Sequence, residues 1–209
     1  KNQWIWNKPY GAEDGATLDS TISDKDDETQ RWFRTDASGK LVKGQTKKVN
    51  SKWYAFDEDG VMRTGLVRLS QAGVSGATVA ADNCYDMDVV TGADIKFEAD
   101  ADKARSLHYF SEDEEKDGSM KTGTMKLELA DDEYTFCFTK NTGAAKNGYD
   151  SSSKKIYNSG ILEKAGDDKY KVVEDKTTNN KYLVGSTGSV VKTVNKYKDA
   201  NDKYYVYNK

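Results

Sequence analysis

The chain is poor in the side chains that most catalytic and metal sites use. Its 209 residues include one histidine, His108, and two cysteines, Cys84 and Cys137. A Ser-His-Asp triad needs a histidine beside the nucleophile, and a zinc site needs clustered thiols or imidazoles. We therefore expect no catalytic residue, no metal and no cofactor, and we interpret His108 as a strand-face residue. Two cysteines make no disulfide framework, so the sequence leaves open whether Cys84 and Cys137 pair.

The chain also lacks a dominant charge of one sign and any long apolar run. With 32 basic and 35 acidic residues, the net charge is -3, and the signs are interspersed. That pattern lacks the basic footprint that nucleic acid or an anionic membrane requires. No run approaches the roughly 20 apolar residues that span a bilayer. The sequence therefore predicts neither a nucleic-acid partner nor a membrane span.

Apolar residues are scarce as well. Only 36% of the chain is hydrophobic, and 13 Tyr, 6 Phe and 4 Trp supply much of what can be buried. We expect a thin, aromatic core, which suits a quasi-linear repeat array better than a globule. The chain has no signal peptide and begins at Lys1 instead of Met. We interpret it as a piece of a longer or processed protein whose targeting signal has been removed.

What the chain does contain is a repeated pattern of an aromatic strand, an acidic turn and two glycines. The clearest copy occupies 52–65 (KWYAFDEDGVMRTG), and another occupies 31–44 (RWFRTDASGKLVKG). Trp32 and Trp53 are 21 residues apart, as are Gly44 and Gly65. A period of this length indicates a repeat architecture, and stacked repeats form extended binding surfaces more readily than active sites.

The glycine pairs and the aromatic runs both indicate β-hairpins. Gly60 follows three acidic residues, and it would supply the positive φ that a hairpin turn at 57–60 needs. Short aromatic and β-branched runs are typical of strands, and a lone hairpin must bury its face on a neighbour. The glycine pairs lie at 39–44, 60–65, 118–123 and 143–148, and the strand runs lie at 53–56, 107–110, 135–138, 182–184 and 204–207.

The predicted fold is all-β: a solenoid-like array of short β-hairpin repeats of about 20 residues, with an irregular stretch in the middle. Gly65 and Gly123 are 58 residues apart, and one apolar–polar alternating patch lies between them at 94–98. The predicted segments are 1–30, an N-terminal cap or degenerate repeat; 31–66, regular repeats; 67–106, an insertion or degenerate repeats; and 107–209, degenerate β-hairpin repeats.

The pattern at 53–65 resembles the cell-wall-binding repeat family of bacterial surface proteins, which includes choline-binding modules and glucan-binding repeats. That family's unit runs roughly Gly-Trp, a spacer, Trp-Tyr-Tyr-Phe, Asp-x-x-Gly and x-Met-x-Thr-Gly. The segment 117–123 is similar to its second half. The resemblance is closest over 31–66 and looser over 107–148. It implies a β-hairpin solenoid, a secreted or surface-attached parent in a Gram-positive-type bacterium, and a non-catalytic anchoring role.

One position departs from the choline-binding members of that family. In those members, a tryptophan directly after the closing glycine forms one wall of an aromatic cage, which holds the quaternary ammonium by cation–π attraction. Here that position is Gln45, Leu66, Thr124 and Tyr149, and only Tyr149 has a ring. This departure disfavours a conventional choline cage, so by elimination we expect a glycan or another wall polymer, while the ligand's identity stays open.

The aromatic residues of the repeats are the candidates for ligand contact. Alternation along 53–56 places Trp53 and Ala55 on one face and Tyr54 and Phe56 on the other, so one of these sets is core. For every candidate, packing in the core is the alternative interpretation. The candidate ligand-binding residues are Trp32, Trp53, Tyr54, Phe56, Tyr109 and Tyr149.

The leading hypothesis is a non-catalytic module that anchors a secreted bacterial protein to cell-wall polymer or carbohydrate. A structural spacer or adhesin stalk of decayed repeats is one alternative, which the missing tryptophans favour. A C-terminal appendage of a wall-active enzyme is the other. The 35 acidic residues offer many pairs for glycoside hydrolysis, but nothing in their spacing singles one out.

Overall fold

The computed structural model describes residues 1–7, 31–98, 106–112, 118–191 and 196–206, so most of the predicted segment 1–30 lies outside the described residues. The described backbone forms seventeen short strands, one α-helix and two 3-10 turns. The prediction of an all-β array of short hairpins is confirmed. The chain divides into two compact units, Lys1–Tyr85 with Tyr109–Lys121 and Asp86–His108 with Thr122–Lys209. The segment boundaries proposed from composition stay predictions.

The first unit is built from small antiparallel groups of strands. Its strands are β1 (Trp4–Asn7), β2 (Arg31–Arg34), β3 (Gln45–Val49), β4 (Lys52–Phe56), β5 (Met62–Arg63), β6 (Gly65–Arg68), the last two residues of β7 (Leu107–Phe110), and β8 (Met120–Lys121). β1 pairs with β2, β3 to β5 form a meander, and β8 pairs with Tyr109 and Phe110 of β7.

The tightest hairpin of the first unit connects β3 to β4. Val49 pairs with Lys52, which leaves Asn50 and Ser51 as a two-residue turn. Both have positive φ, at 47° and 68°. Positive φ at both central residues defines the type I′ turn, whose twist matches that of the flanking strands. The sequence prediction placed the hairpin only at 57–60 and missed this earlier one.

The predicted turn at 57–60 is present, and an aspartate organises it. The Asp57 amide donates to the Val61 carbonyl at 3.0 Å, and Asp57 Oδ1 accepts from the amides of Asp59 at 3.1 Å and Val61 at 2.9 Å. Asp36 and Asp199 accept from the amides two and four residues further on in the same way. We call this arrangement the aspartate turn. It satisfies the backbone polar groups that a sharp reversal would otherwise leave unpaired.

The paired glycines of the sequence pattern have the backbone conformation for which glycine is suited. At Gly60, φ is +86°, and an added Cβ would lie 3.2 Å from the Val42 carbonyl oxygen. An L-residue with a side chain is disfavoured there by both conformation and contact. All eight glycines of the four pairs have positive φ: Gly39, Gly44, Gly60, Gly65, Gly118, Gly123, Gly143 and Gly148.

The two faces of β4 pack in two different clusters of buried residues. On one face, Tyr54 and Phe56 pack with Val42. On the other, Ala55 packs in a cluster that includes Val67 and Phe110. The irregular chain after β6 adds Val74, Ala77 and Val79 to that second cluster. In its described part, the stretch 67–106 therefore contributes to the core of the repeats it follows.

The second unit contains a five-stranded antiparallel sheet and two separate ribbons. The sheet order is β11-β12-β13-β10-β9, and the ribbons pair β14 with β15 and β16 with β17. Four residues, Ile156, Val173, Val184 and Val190, form what we call the aliphatic cluster. The strands are β9 (Gly123–Leu129), β10 (Asp132–Phe138), β11 (Gly148–Asp150), β12 (Lys155–Asn158), β13 (Ile161–Leu162), β14 (Tyr170–Glu174), β15 (Lys181–Gly185), β16 (Lys196–Lys198) and β17 (Tyr204–Val206).

The alternating patch at 94–98 belongs to a helix, α1 (Gly92–Glu98), so its strand-like period was misleading. The Asp94 amide donates to Thr91 Oγ1 at 3.2 Å, and Asp94 Oδ2 accepts from the Thr91 amide at 3.1 Å. This reciprocal capping box satisfies two amides at the helix start. Ile95 is buried. Five residues are too few to distinguish the period of a strand, 2, from that of a helix, 3.6. The capping box is what indicates a helix here.

The sequence left a disulfide open, and in the structure no disulfide joins Cys84 to Cys137. His108 lies on β7 and is fully buried, in keeping with its interpretation as a strand residue. Among the described helices, none has the length and apolar character to cross a bilayer. In the same residues, no group of three or more His, Cys, Asp or Glu side chains is arranged to hold a metal ion.

Candidate functional site

The ribbon of β1 and β2 gathers three of the four tryptophans on one face. Its register pairs Trp4 with Arg34 and Trp6 with Trp32. Opposed residues in an antiparallel pair lie on the same side, and residues two apart along a strand share a face. Trp4, Trp6, Trp32 and Arg34 therefore form one surface, which we call the tryptophan face. Phe33, on the other face, is buried.

Trp4 attaches the tryptophan face to the core of the first unit. Its ring centre lies 4.9 Å from that of Tyr54, 5.9 Å from that of Phe56 and 6.2 Å from that of Trp32. These separations fall within the contact range of aromatic pairs. Trp4 is half-buried, so it is the member of the tryptophan face that contacts the core.

Trp6 and Trp32 form the outer part of the tryptophan face. Their side chains are 50% and 41% exposed, their ring centres are 5.1 Å apart, and their planes are inclined by 47°. Indole rings bury large apolar areas when they can, so two adjacent exposed rings are unusual on a surface. Contiguous apolar patches of this kind mark interaction sites.

A cation lies within the tryptophan face. The Arg34 guanidinium carbon is 5.3 Å from the Trp4 ring centre, within the range of a cation–π contact. Similar pairs occur on other strands, because Lys48 Nζ lies 5.9 Å from the Trp53 ring and Lys203 Nζ lies 5.4 Å from the Tyr205 ring. Aromatic rings of this chain therefore meet the chain's own cations at several places.

The structure separates the candidate residues predicted from sequence. Trp32 is exposed on the tryptophan face, whereas Tyr54 and Phe56 lie in the core beneath it. Trp53 is half-buried against the cluster around Ala55. Phe56 has no exposed surface, so we leave it and Tyr54 out of the proposed site. The alternation at 53–56 could not sort these residues, because both faces of β4 are covered.

The remaining two candidates lie elsewhere. Tyr109 is half-buried on β7, where it pairs with Lys121. Tyr149 stacks on Tyr182, with ring centres 4.9 Å apart and planes inclined by 17°. Both tyrosines of that pair pack on the aliphatic cluster. The one ring that follows a closing glycine therefore contacts another ring of its own unit.

Sequence reasoning missed Trp4, Trp6 and Arg34 as members of the site. The available signal was the spacing of Trp4 and Trp6, which matches that of Trp32 and Arg34 if the two segments pair as strands. That pairing joins residues separated by the chain from 8 to 30, and no pattern in the sequence gives its register.

A buried carboxylate holds the strand of Tyr149 in place. Asp175 Oδ2 accepts from the Tyr149 amide at 3.0 Å, and Asp175 Oδ1 accepts from the Thr177 amide at 2.8 Å and from Thr177 Oγ1 at 2.6 Å. Burial alone would raise the pKa of Asp175, but these hydrogen bonds outweigh it and lower the pKa below the usual range of an aspartate. The carboxylate is therefore a structural anion.

The fold is that of choline-binding repeat proteins. The structure of CbpF in complex with ipratropium aligns with a TM-score of 0.51 and 19% identity, over 98% of this chain and 49% of that chain. Choline binding protein F from Streptococcus pneumoniae in a second crystal form gives 0.48 and 17%, over 96% and 47%. The choline-binding domain of CbpL from Streptococcus pneumoniae gives 0.32 and 17%, over 84% and 82%.

The chain spans about half the length of the first of these structures. No protein-family model and no curated protein sequence matches the chain. At 19% identity, the likeness establishes the fold, and the ligand has to be argued from this chain's own residues.

Proposed function

We propose that the chain is a non-catalytic module that binds cell-wall polymer or carbohydrate and anchors a secreted protein at the surface of a Gram-positive-type bacterium. The observation that carries this proposal is the tryptophan face, where Trp6 and Trp32 are exposed side by side and Trp4 is a half-buried anchor. The fold supports the proposal, since the aligned protein CbpF is by name a choline binding protein.

The shape of the tryptophan face fits a polymer ligand. It is an open surface on a two-stranded ribbon, and an open surface accepts the side of a long chain. Rigid aromatic side chains supply contact area at low entropic cost, so a few of them can carry most of the binding energy. Arg34, whose guanidinium lies over the Trp4 ring, adds hydrogen-bond donors to this surface.

The experiment is co-sedimentation of the full chain with purified Gram-positive cell walls, together with a glycan array. We expect retention on walls, and we expect the W6A/W32A double variant to lose at least about tenfold in affinity. Tyr204→Ala is the matched control, because Tyr204 is an exposed ring on β17 and not part of the tryptophan face. Circular dichroism and thermal unfolding establish that each variant is folded.

Two results would contradict the proposal. The first is a folded wild-type chain that no wall preparation and no glycan retains. The second is an equal loss of affinity in Tyr204→Ala and in W6A/W32A, which would show that exposed rings matter in general and the tryptophan face does not.

A structural spacer remains the second candidate, and the tyrosine pair of the second unit favours it. The rings of Tyr149 and Tyr182 stack on each other and pack on the aliphatic cluster. This is expected where aromatic residues of the repeats only hold neighbouring repeats together. The third candidate, an appendage of a wall-active enzyme, concerns the parent protein. The gene sequence around this chain tests it directly.

A further inference from the structure

We propose that the tryptophan face binds a sugar chain that carries an anionic group, a phosphate or a carboxylate, in preference to a neutral glycan or a quaternary ammonium compound. This inference rests on the proposed function, because it names the ligand class of the same surface. It depends on how the rings of Trp6 and Trp32 meet and on where Arg34 lies.

The rings of Trp6 and Trp32 are in contact, so there is no room for a ligand between them. Their centres are 5.1 Å apart, which is a contact distance for aromatic rings. A cage for a trimethylammonium group needs ring faces on several sides of the cation. Only the outer surfaces of this pair are available, and they suit the flat C–H face of a sugar ring laid along the ribbon.

Arg34 disfavours a cationic ligand on the same surface. Its guanidinium carbon lies 5.3 Å from the Trp4 ring centre, so it already uses the kind of ring face that a quaternary ammonium would need. A second cation placed there would also be repelled by the guanidinium. The charge of the tryptophan face therefore selects a neutral or anionic ligand.

The charge of Arg34 is not balanced by a carboxylate of the described residues, since none of them forms an ion pair with it. Two other cations that lie over rings do have such a partner. Lys146 Nζ, over Tyr157, is 2.7 Å from Asp150 Oδ2, and Lys198 Nζ, over Tyr204, is 2.6 Å from Asp202 Oδ1. A guanidinium beside exposed indoles that no carboxylate of the described residues pairs with can bind a phosphate or carboxylate through two parallel hydrogen bonds.

The test is isothermal titration calorimetry on the full chain with four ligands. These are an oligogalacturonate, a sugar-phosphate oligomer, a neutral gluco-oligosaccharide of equal length, and choline. We expect at least one anionic oligomer to bind about tenfold more tightly than the neutral one, with an affinity that falls as salt is added. The two anionic arms identify which charged group the surface prefers.

Three variants assign the preference to Arg34. We expect Arg34→Gln to bind anionic and neutral oligomers equally, and Arg34→Lys to keep part of the preference, because it retains charge but not the paired donors. Lys126→Gln removes the same charge from an exposed position on β9, with a side chain 67% exposed, and should keep the full preference. Circular dichroism tests whether Arg34→Gln is folded. If Arg34→Gln does not fold, the reduced preference of Arg34→Lys for anionic oligomers tests the role of Arg34.

The inference is overturned if neutral and anionic oligomers bind alike, if Arg34→Gln keeps the preference, or if choline binds in a way that W6A/W32A abolishes. In any of these cases, retention of the wild-type chain on walls would leave the proposed function standing. A folded wild-type chain that binds no wall and none of the four ligands would contradict both.

Discussion

Two aromatic pairs, one in each unit, make similar ring contacts in opposite surroundings. Trp6 and Trp32 are 5.1 Å apart and exposed, whereas Tyr149 and Tyr182 are 4.9 Å apart and packed on the aliphatic cluster. The ring–ring distance does not distinguish them. What lies behind and beside the rings does, because a ring against aliphatic side chains stabilises the fold, and a ring facing solvent is available to a ligand.

The largest expected effect distinguishes the buried rings beneath the tryptophan face, which stabilise the fold, from the exposed rings of that face. Phe56→Ala removes a fully buried ring that contacts Trp4, so we expect the free energy of unfolding to fall by about 3–5 kcal/mol. Trp32→Ala removes an exposed ring and should cost about 1 kcal/mol or less. Urea unfolding measures both. Equal losses of unfolding free energy in the two variants would contradict the distinction between buried and exposed rings.

An intermediate effect concerns the glycine that precedes Tyr149. Gly148 has φ +80°, and an added Cβ would lie 2.7 Å from Thr177 Oγ1 and 2.9 Å from Asp175 Oδ1. Gly123 is the matched control, because its φ is +91° but nothing lies within 4 Å of an added Cβ.

We expect Gly123→Ala to cost about 1–2 kcal/mol for backbone conformation alone, and Gly148→Ala to cost more because it also displaces Asp175. Thermal and urea unfolding report the difference. If Gly148→Ala were no more destabilising than Gly123→Ala, the carboxylate would not be holding the tyrosine pair in place.

The smallest expected effect is the pH dependence of the stability that Asp175 contributes beside the tyrosine pair. The hydrogen bonds to Asp175 hold its folded-state pKa below the usual range of an aspartate, so its ionised form is favoured in the folded protein. Its contribution to stability is therefore present above about pH 4 and is lost as the pH falls through the folded-state pKa.

We expect Asp175→Asn to be less stable than the wild type at pH 7, and the gap between them to narrow toward pH 3. Measurement of the midpoint of urea unfolding across that range checks this. A gap that stays constant or widens in acid would show that the charge of Asp175 is not what stabilises the Tyr149 strand.

Local geometry was predictable from the sequence because single residues determine it. Gly60 and Gly65 have the positive φ that their spacing implied, and the turn closed by Asp57 lies where the acidic run placed it. The type I′ turn at Asn50 and Ser51 was missed, since neither residue is glycine and the expected Asn-Gly signal is absent.

The tryptophan face was predictable only in part, because it depends on pairing between distant strands. Trp32 was named from its repeat, but Trp4 and Trp6 join it through a register set across residues 8–30. Tyr54 and Phe56 fit the same aromatic pattern and are core, since β4 is covered on both faces. Which face of a strand meets solvent is a property of its neighbours, and those neighbours are remote in sequence.

The aspartate turn has a consequence for how such arrays change in length. At Asp36, Asp57 and Asp199, the hydrogen bonds that the carboxylate accepts from backbone amides close within five consecutive residues. Insertion or removal of a whole repeat between two such turns therefore leaves the carboxylate bonds of each turn intact. Gene duplication or protein engineering can therefore change the number of repeats at these junctions without redesigning the turns themselves.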